Sequence, residues 1–168
     1  VRLKPGPLLG EYKLLDYLLY YPFVDSDVTD VQLLDNTTTL PRHTDGAGVQ
    51  VMAVVVGVPS ATNGTFTFDY INQDGVSRTS PVQGTAGAIA TTGNLYCSAP
   101  ASNVNTLGPF LKLASGDTGV RSITSVTYII PTGGLVTLVL VKPLMSTIAV
   151  ELNVPFETSV CLSKPIVP

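Results

Sequence analysis

Eight residues, Phe23-Val24-Asp25-Ser26-Asp27-Val28-Thr29-Asp30, crowd three carboxylates behind an apolar run. Convergent oxygens of this kind suit a hard cation, since calcium takes about six to eight oxygen ligands from carboxylates and carbonyls. Read as a calcium loop, DSDVTDVQLLDN places Asp25 and Asp27 at the first and third positions. The pattern then fails. Its fifth position is Thr29, its sixth is Asp30 where the sharp turn needs Gly, and its last is Asn36 in place of a bidentate Glu. The main expectation is a solvated acidic turn in which Asp25 or Asp27 caps nearby amides. A looser cation site from Asp25, Asp27, Asp30 and backbone carbonyls is the lesser one.

Asp25-Ser26-Asp27-Val28-Thr29 also has the form DxDxT, and so resembles the nucleophile loop of haloacid-dehalogenase-type phosphatases. That resemblance implies a first Asp that attacks and a second that handles the leaving-group proton. It also implies an α/β sheet, a positioned Lys and a downstream acidic pair for magnesium. Gly116-Asp117 is followed by Arg121 where the second acid is wanted, and the strand pattern is not α/β. His43, between Arg42 and Asp45, lacks a GxSxG elbow or a cysteine-protease context and reads as a surface-loop residue. With no GxGxxG, P-loop or HExxH either, the expectation is no enzyme, no catalytic residue and no cofactor. Cys97 and Cys161 lack CxxC spacing, which disfavours zinc; free structural thiols are favoured over a disulfide.

Charge narrows the partners. Only 12% of the 168 residues are charged, 45% are apolar, and the nine basic residues are scattered singly within a net charge of −3. No basic stripe can neutralise phosphates, so nucleic acid is not an expected partner. Apolar stretches run about ten residues and are broken by Gly, Pro, Thr and Asn, too short to cross a bilayer as a helix. The opening VRLKPGPLLGEYK does not read as a secretory signal. A weakly charged, apolar surface suits packing against neighbours better than life as a free monomer.

The elements that would carry these residues are strands. In TFTFDYINQDGVSRTS, Phe66, Phe68 and Tyr70 alternate with polar residues before Asp74-Gly75, which predicts a β-hairpin with one buried face. SVTYIIPTGGLVTLVLVK reads as a second hairpin turning at residues 131–134, its Leu135–Val141 strand central and covered on both faces. Ile123 has the opposite parity to Val126, Tyr128 and Ile130, which predicts a β-bulge near Thr124 or Ser125. Residues 49–59 and 146–154 add two more strands, and the small-residue stretch 81–108 reads as a long loop with one or two weak strands. The expected fold is all-β, a β-sandwich or jelly-roll-like barrel over residues 14–152, with extended arms at 1–13 and 153–168.

The aromatic segment EYKLLDYLLYYPF reads as a short helix or an edge strand. Its tyrosines form either a buried wall or a contact patch, since Tyr buries large area while keeping a polar tip. As protein-contact candidates it offers Tyr12, Tyr17, Tyr20, Tyr21 and Phe23; Phe156 in the C-terminal arm is a further one.

YYPFVDSDVTDVQLLDNTTTLPRHTDGAGVQVMAVVV and LASGDTGVRSITSVT…GGLVTLVLVKPL resemble small β-rich virion proteins of tailed bacteriophages, the kind that decorate or cement the head. The resemblance spans roughly Leu14 to Pro143 and carries no catalytic residue. It implies a β-sandwich on the capsid exterior, bound to the major capsid protein and to copies of itself, with arms reaching neighbouring capsomers. The alternatives are a ligand- or glycan-binding sandwich and a tail, neck or fibre component.

Overall fold

The computed structural model describes residues 2–3, 10–34, 38–60, 64–85, 92–96, 98–99, 108–149 and 156–157. Among them all regular structure is strand: β1 (Arg2–Leu3), β2 (Gly10–Asp25), β3 (Gln32–Leu33), β4 (Gln50–Gly57), β5 (Thr65–Asn72), β6 (Ser77–Thr79), β7 (Gln83–Thr85), β8 (Leu95–Tyr96), β9 (Ser98–Ala99), β10 (Val120–Ile130), β11 (Leu135–Ala149) and β12 (Phe156–Glu157). The chain divides into two compact units, Tyr17–Val141 and Val1–Asp16 with Lys142–Pro168.

The larger unit is an antiparallel β-sandwich. One sheet has the order β2-β11-β4-β8 and the other β3-β10-β5-β7-β9, with β6 also on β5. Val51, Ala53, Val55, Val136, Leu138 and Leu140 from the first sheet meet Phe66, Phe68, Tyr70, Ile123, Val126 and Tyr128 from the second in one core. Fully burying a side chain of this size contributes about 1.5–3 kcal/mol. That is why alternation alone is enough to place β4 and β5.

Sequence and structure agree on several elements. β5 and β6 form the expected hairpin through Asp74-Gly75, with Gly75 at φ 78° donating its N–H to the Asn72 carbonyl. The register of β10 against β5 slips between Ile123 and Ser125, the bulge that lets Ile123 and Val126 both face inward. In β11 the run Leu138–Val141 is buried at every position, as a strand covered on both faces must be. The ambiguous aromatic segment is strand: β2, an edge of its sheet.

Residues 131–134 do not close a hairpin. β10 and β11 lie in different sheets, so the turn is a corner from one layer to the other. Each strand is already paired, β10 with β5 and β3, β11 with β4. The corner's hydrogen bonds go elsewhere: Thr132 donates to the Ser26 carbonyl, Ser26 to that of Gly134, and Ser60 to that of Thr132. Gly133 and Gly134, at φ 69° and 80°, supply a backbone that other residues rarely adopt. β11 also runs through Pro143 as one strand to Ala149, where two had been expected.

In the smaller unit β1 pairs β12 antiparallel, Leu3 opposite Phe156. None of the side chains described at 10–16 and 142–148 is buried. Lys13 and Ser146 both donate to the Glu11 carboxylate there. Most of the expected arms, together with Cys97, Cys161 and the Phe156 side chain, lies outside the described residues.

Candidate functional site

The acidic turn is held by its own neighbours. The Asp25 carboxylate accepts the Asp27 amide at 2.9 Å, an Asx turn. Gln32 clasps the same loop, its Oε1 accepting the Asp25 amide at 2.8 Å and its Nε2 donating to the Asp25 carbonyl at 2.7 Å. Asp27 and Asp30 are exposed. Among the described residues no group of three or more His, Cys, Asp or Glu is placed to hold a metal ion, so Asp25, Asp27 and Asp30 are not brought together as ligands. His43 is exposed at φ 53°, its carbonyl accepting the Gly46 amide at 2.7 Å.

The carboxylate that is sequestered is Asp117, whose side chain is 4% exposed. Tyr70 donates to its Oδ2 at 2.5 Å, Asn72 to its Oδ1 at 2.9 Å, and Arg78 approaches Oδ2 at 3.4 Å. Burial pushes the Asp117 carboxyl up, but these hydrogen bonds and the Arg78 charge outweigh it and hold the group below its ordinary value. Tyr70 is pushed up to about 12, by burial first and by the bond to Asp117 second. Its hydroxyl also accepts the Ala114 amide at 2.8 Å. With both oxygens occupied, Asp117 ties the loop before β10 to the β5–β6 hairpin and has no proton to trade. A pocket of about 280 Å³ lies beside Leu40, Ile71 and Arg121. The Arg121 guanidinium donates to the Asp45 and Gln73 carbonyls.

The remaining feature is apolar. Along β2, Leu18, Tyr21 and Val24 are buried while Tyr17, Tyr20 and Phe23 are each more than half exposed. A spacing of three cannot come from a regular strand, whose faces alternate with period two. Phe23 sits at φ 24°, and that break in β-geometry lets Tyr21 and Val24 face the same way. Of the predicted contact residues, Tyr21 is therefore corrected to core, its chain pinned inward by hydrogen bonds at both its hydroxyl and its carbonyl. Tyr12 is half-buried in the smaller unit.

A groove of about 640 Å³ opens beside β2, lined by Leu19, Tyr20, Tyr21, Pro22, Leu33, Leu34 and Thr38. β2 and β3 are the edge strands of the two sheets, so this is an open side of the sandwich. Leu33, 73% exposed, was missed from sequence because it sits inside the would-be calcium loop. Its only signal was an apolar pair, Leu33-Leu34, within a polar stretch. Comparisons with protein-family models, curated proteins and solved structures each gave no match to this chain.

Proposed function

We propose that this chain is a structural subunit of a virus particle, a decoration or cement protein on the head of a tailed bacteriophage. It binds the major capsid protein and copies of itself on the capsid exterior. The observation that carries the reading is the apolar, largely aromatic surface at the sandwich's open side, where Tyr17, Tyr20 and Phe23 on β2 and Val31 and Leu33 at β3 stand exposed. Apolar surface concentrated in this way marks a protein contact. Residues 10–16 and 142–148 support it, because none of the side chains described there is buried and Ile148 is 69% exposed. The resemblance of residues 14–143 to head decoration proteins supplies the particular setting.

The work of such a subunit is adhesion. Contacts that are individually weak become strong when the symmetry of a shell repeats them and holds each copy at high effective concentration. Quantitative mass spectrometry of purified particles is expected to find the chain at a fixed, icosahedral ratio to the major capsid protein. Its absence from particles, or a copy number set by tail symmetry, would reject the proposal.

A further inference from the structure

We infer that the open side of the sandwich is a two-fold self-association face, in which Phe23 of one copy seats in the groove between Tyr20 and Leu33 of a second copy of this chain, and the reverse. The inference rests on reading the chain as an assembly subunit and names the surface that joins its copies.

A two-fold contact uses the same patch twice, so that patch must hold both a projection and a recess that accepts it. β2 carries both within four residues. Tyr20 lines the groove, and Phe23, 67% exposed, stands beside it on the same strand. At about 640 Å³ the groove falls within the ~300–1,000 Å³ range of sites that enclose small organic groups. Phe23 reaches water from a backbone at φ 24°, which a bulky side chain adopts only when the surroundings impose it. A lone copy gains nothing from holding an aromatic ring there; a pair buries two.

Charge and area fit a second copy. The described residues that line the groove are uncharged, and Arg42, donating to the Tyr17 carbonyl at 3.3 Å, sets a cation at the edge of the face. Asp27 and Asp30 lie exposed nearby on the turn. At roughly 200 Å² per ring, Tyr17, Tyr20 and Phe23 present about 350 Å² on each copy. With Val31 and Leu33 the pair reaches the ~1,000 Å² that a specific interface needs. Pro22 has no N–H, and Phe23 interrupts the strand beside it. That edge is thereby unsuited to an added β-ladder, and the contact closes as a dimer through side chains.

Sedimentation equilibrium of the full chain across a concentration series tests this. Wild type is expected to dimerise. Phe23→Asn and Leu33→Asp are each expected to weaken dimerisation at least tenfold, whereas Val76→Asp, on the β5–β6 turn, is expected to leave it unchanged. Asn tolerates positive φ, so Phe23→Asn also keeps or raises the melting temperature of the dilute monomer, separating lost contact from lost fold. A wild type that stays monomeric, or a dimer indifferent to both substitutions, overturns the inference. If that monomer is still found at icosahedral ratio in particles, the subunit reading stands and only the two-fold face falls. A dimer broken by Phe23→Asn but absent from particles supports the face and removes its setting.

Discussion

The Tyr21 hydroxyl accepts the Ile123 amide at 2.8 Å, joining β2 of one sheet to β10 of the other through the core. Ile123 pairs Tyr70 beside the β10 bulge, which skips Thr124, and Tyr21 supplies the acceptor for the Ile123 amide. The Tyr21 carbonyl in turn accepts the Thr137 hydroxyl on β11 at 2.5 Å. One residue thus holds the edge strand to its own sheet and to the opposite one. Tyr21→Phe strands a buried amide, and urea unfolding is expected to show a loss of about 1–3 kcal/mol with unchanged m. A variant as stable as wild type would mean that the amide finds another acceptor.

Asp117 places a limit on the acid side. A carboxyl held below its ordinary value in the fold contributes stability that is present above that value, near pH 4, and is lost as pH falls through the folded one. Asp117→Asn is expected to lower stability at pH 7 by about 1–3 kcal/mol. It should also flatten the decline below about pH 4, measured as urea midpoints against pH. An acid decline as steep as that of wild type would assign the protons to other groups.

The alkaline side is set by tyrosines. Burial raises Tyr21, Tyr70 and Tyr128 above the ordinary phenol value of 10.0, Tyr70 to about 12. The unfolded chain releases these protons first, so the stability they contribute is complete below pH 10 and lost as pH climbs through the folded values. The slope is up to about 1.4 kcal/mol per pH unit for each group. Phenolate absorbance is expected to rise in two stages, the exposed tyrosines first and these three only with unfolding. A single early stage would place all the phenols in contact with water.

What could be read from the chain beforehand follows a physical line. β5 was legible because Phe66, Phe68 and Tyr70 keep strict period two, and the β10 bulge because Ile123 breaks parity. Residues 131–134 announced a turn, yet which sheet follows it depends on whether β11 finds β10 or β4, a choice among distant partners. The carboxylates of 25–30 caught the eye, but local hydrogen bonds from Asp27 and Gln32 account for their turn. The sequestration of Asp117 and the groove stayed hidden because both join segments distant in sequence, Asp117 with Tyr70 and Asn72 of β5, the groove between β2 and the segment at β3. The inward turn of both Tyr21 and Val24 goes with the positive φ at Phe23, which no pattern of residue types signals.

The corner between the sheets depends on Gly134. A Cβ there would lie 2.5 Å from the Gly57 carbonyl oxygen and 2.9 Å from the Pro59 nitrogen, both backbone and unable to swing aside. Gly134→Ala adds to that clash the cost of φ 80°, roughly 1–2 kcal/mol for an L-residue. A total loss above about 2 kcal/mol is expected, read from thermal and urea unfolding. Gly116→Ala has no atom within 4 Å of its Cβ at φ 90° and isolates the conformational part. Equal losses at the two sites would show that the corner relaxes and that packing there is loose.

Beneath the acidic turn the core carries hydroxyls that it does not fully use. Among the described residues, Tyr96 Oη and Ser26 Oγ are buried without a hydrogen-bond partner. The Tyr96 ring packs against Phe66, which stacks on Tyr128 at 5.1 Å. Burial raises the Tyr128 phenol, and the Ser26 hydroxyl lies close enough to temper the rise without meeting hydrogen-bond geometry. A buried hydroxyl with no partner costs its desolvation, about 1–3 kcal/mol, and removing it recovers much of that while the ring stays packed. Tyr96→Phe is therefore expected to stabilise the protein by about 1 kcal/mol, raising the melting temperature by roughly 2–4 °C. Tyr128→Phe removes the phenol that burial raises and serves as the comparison. A drop in stability for Tyr96→Phe would mean that its hydroxyl is bonded in solution, through an ordered water at the junction of the two sheets.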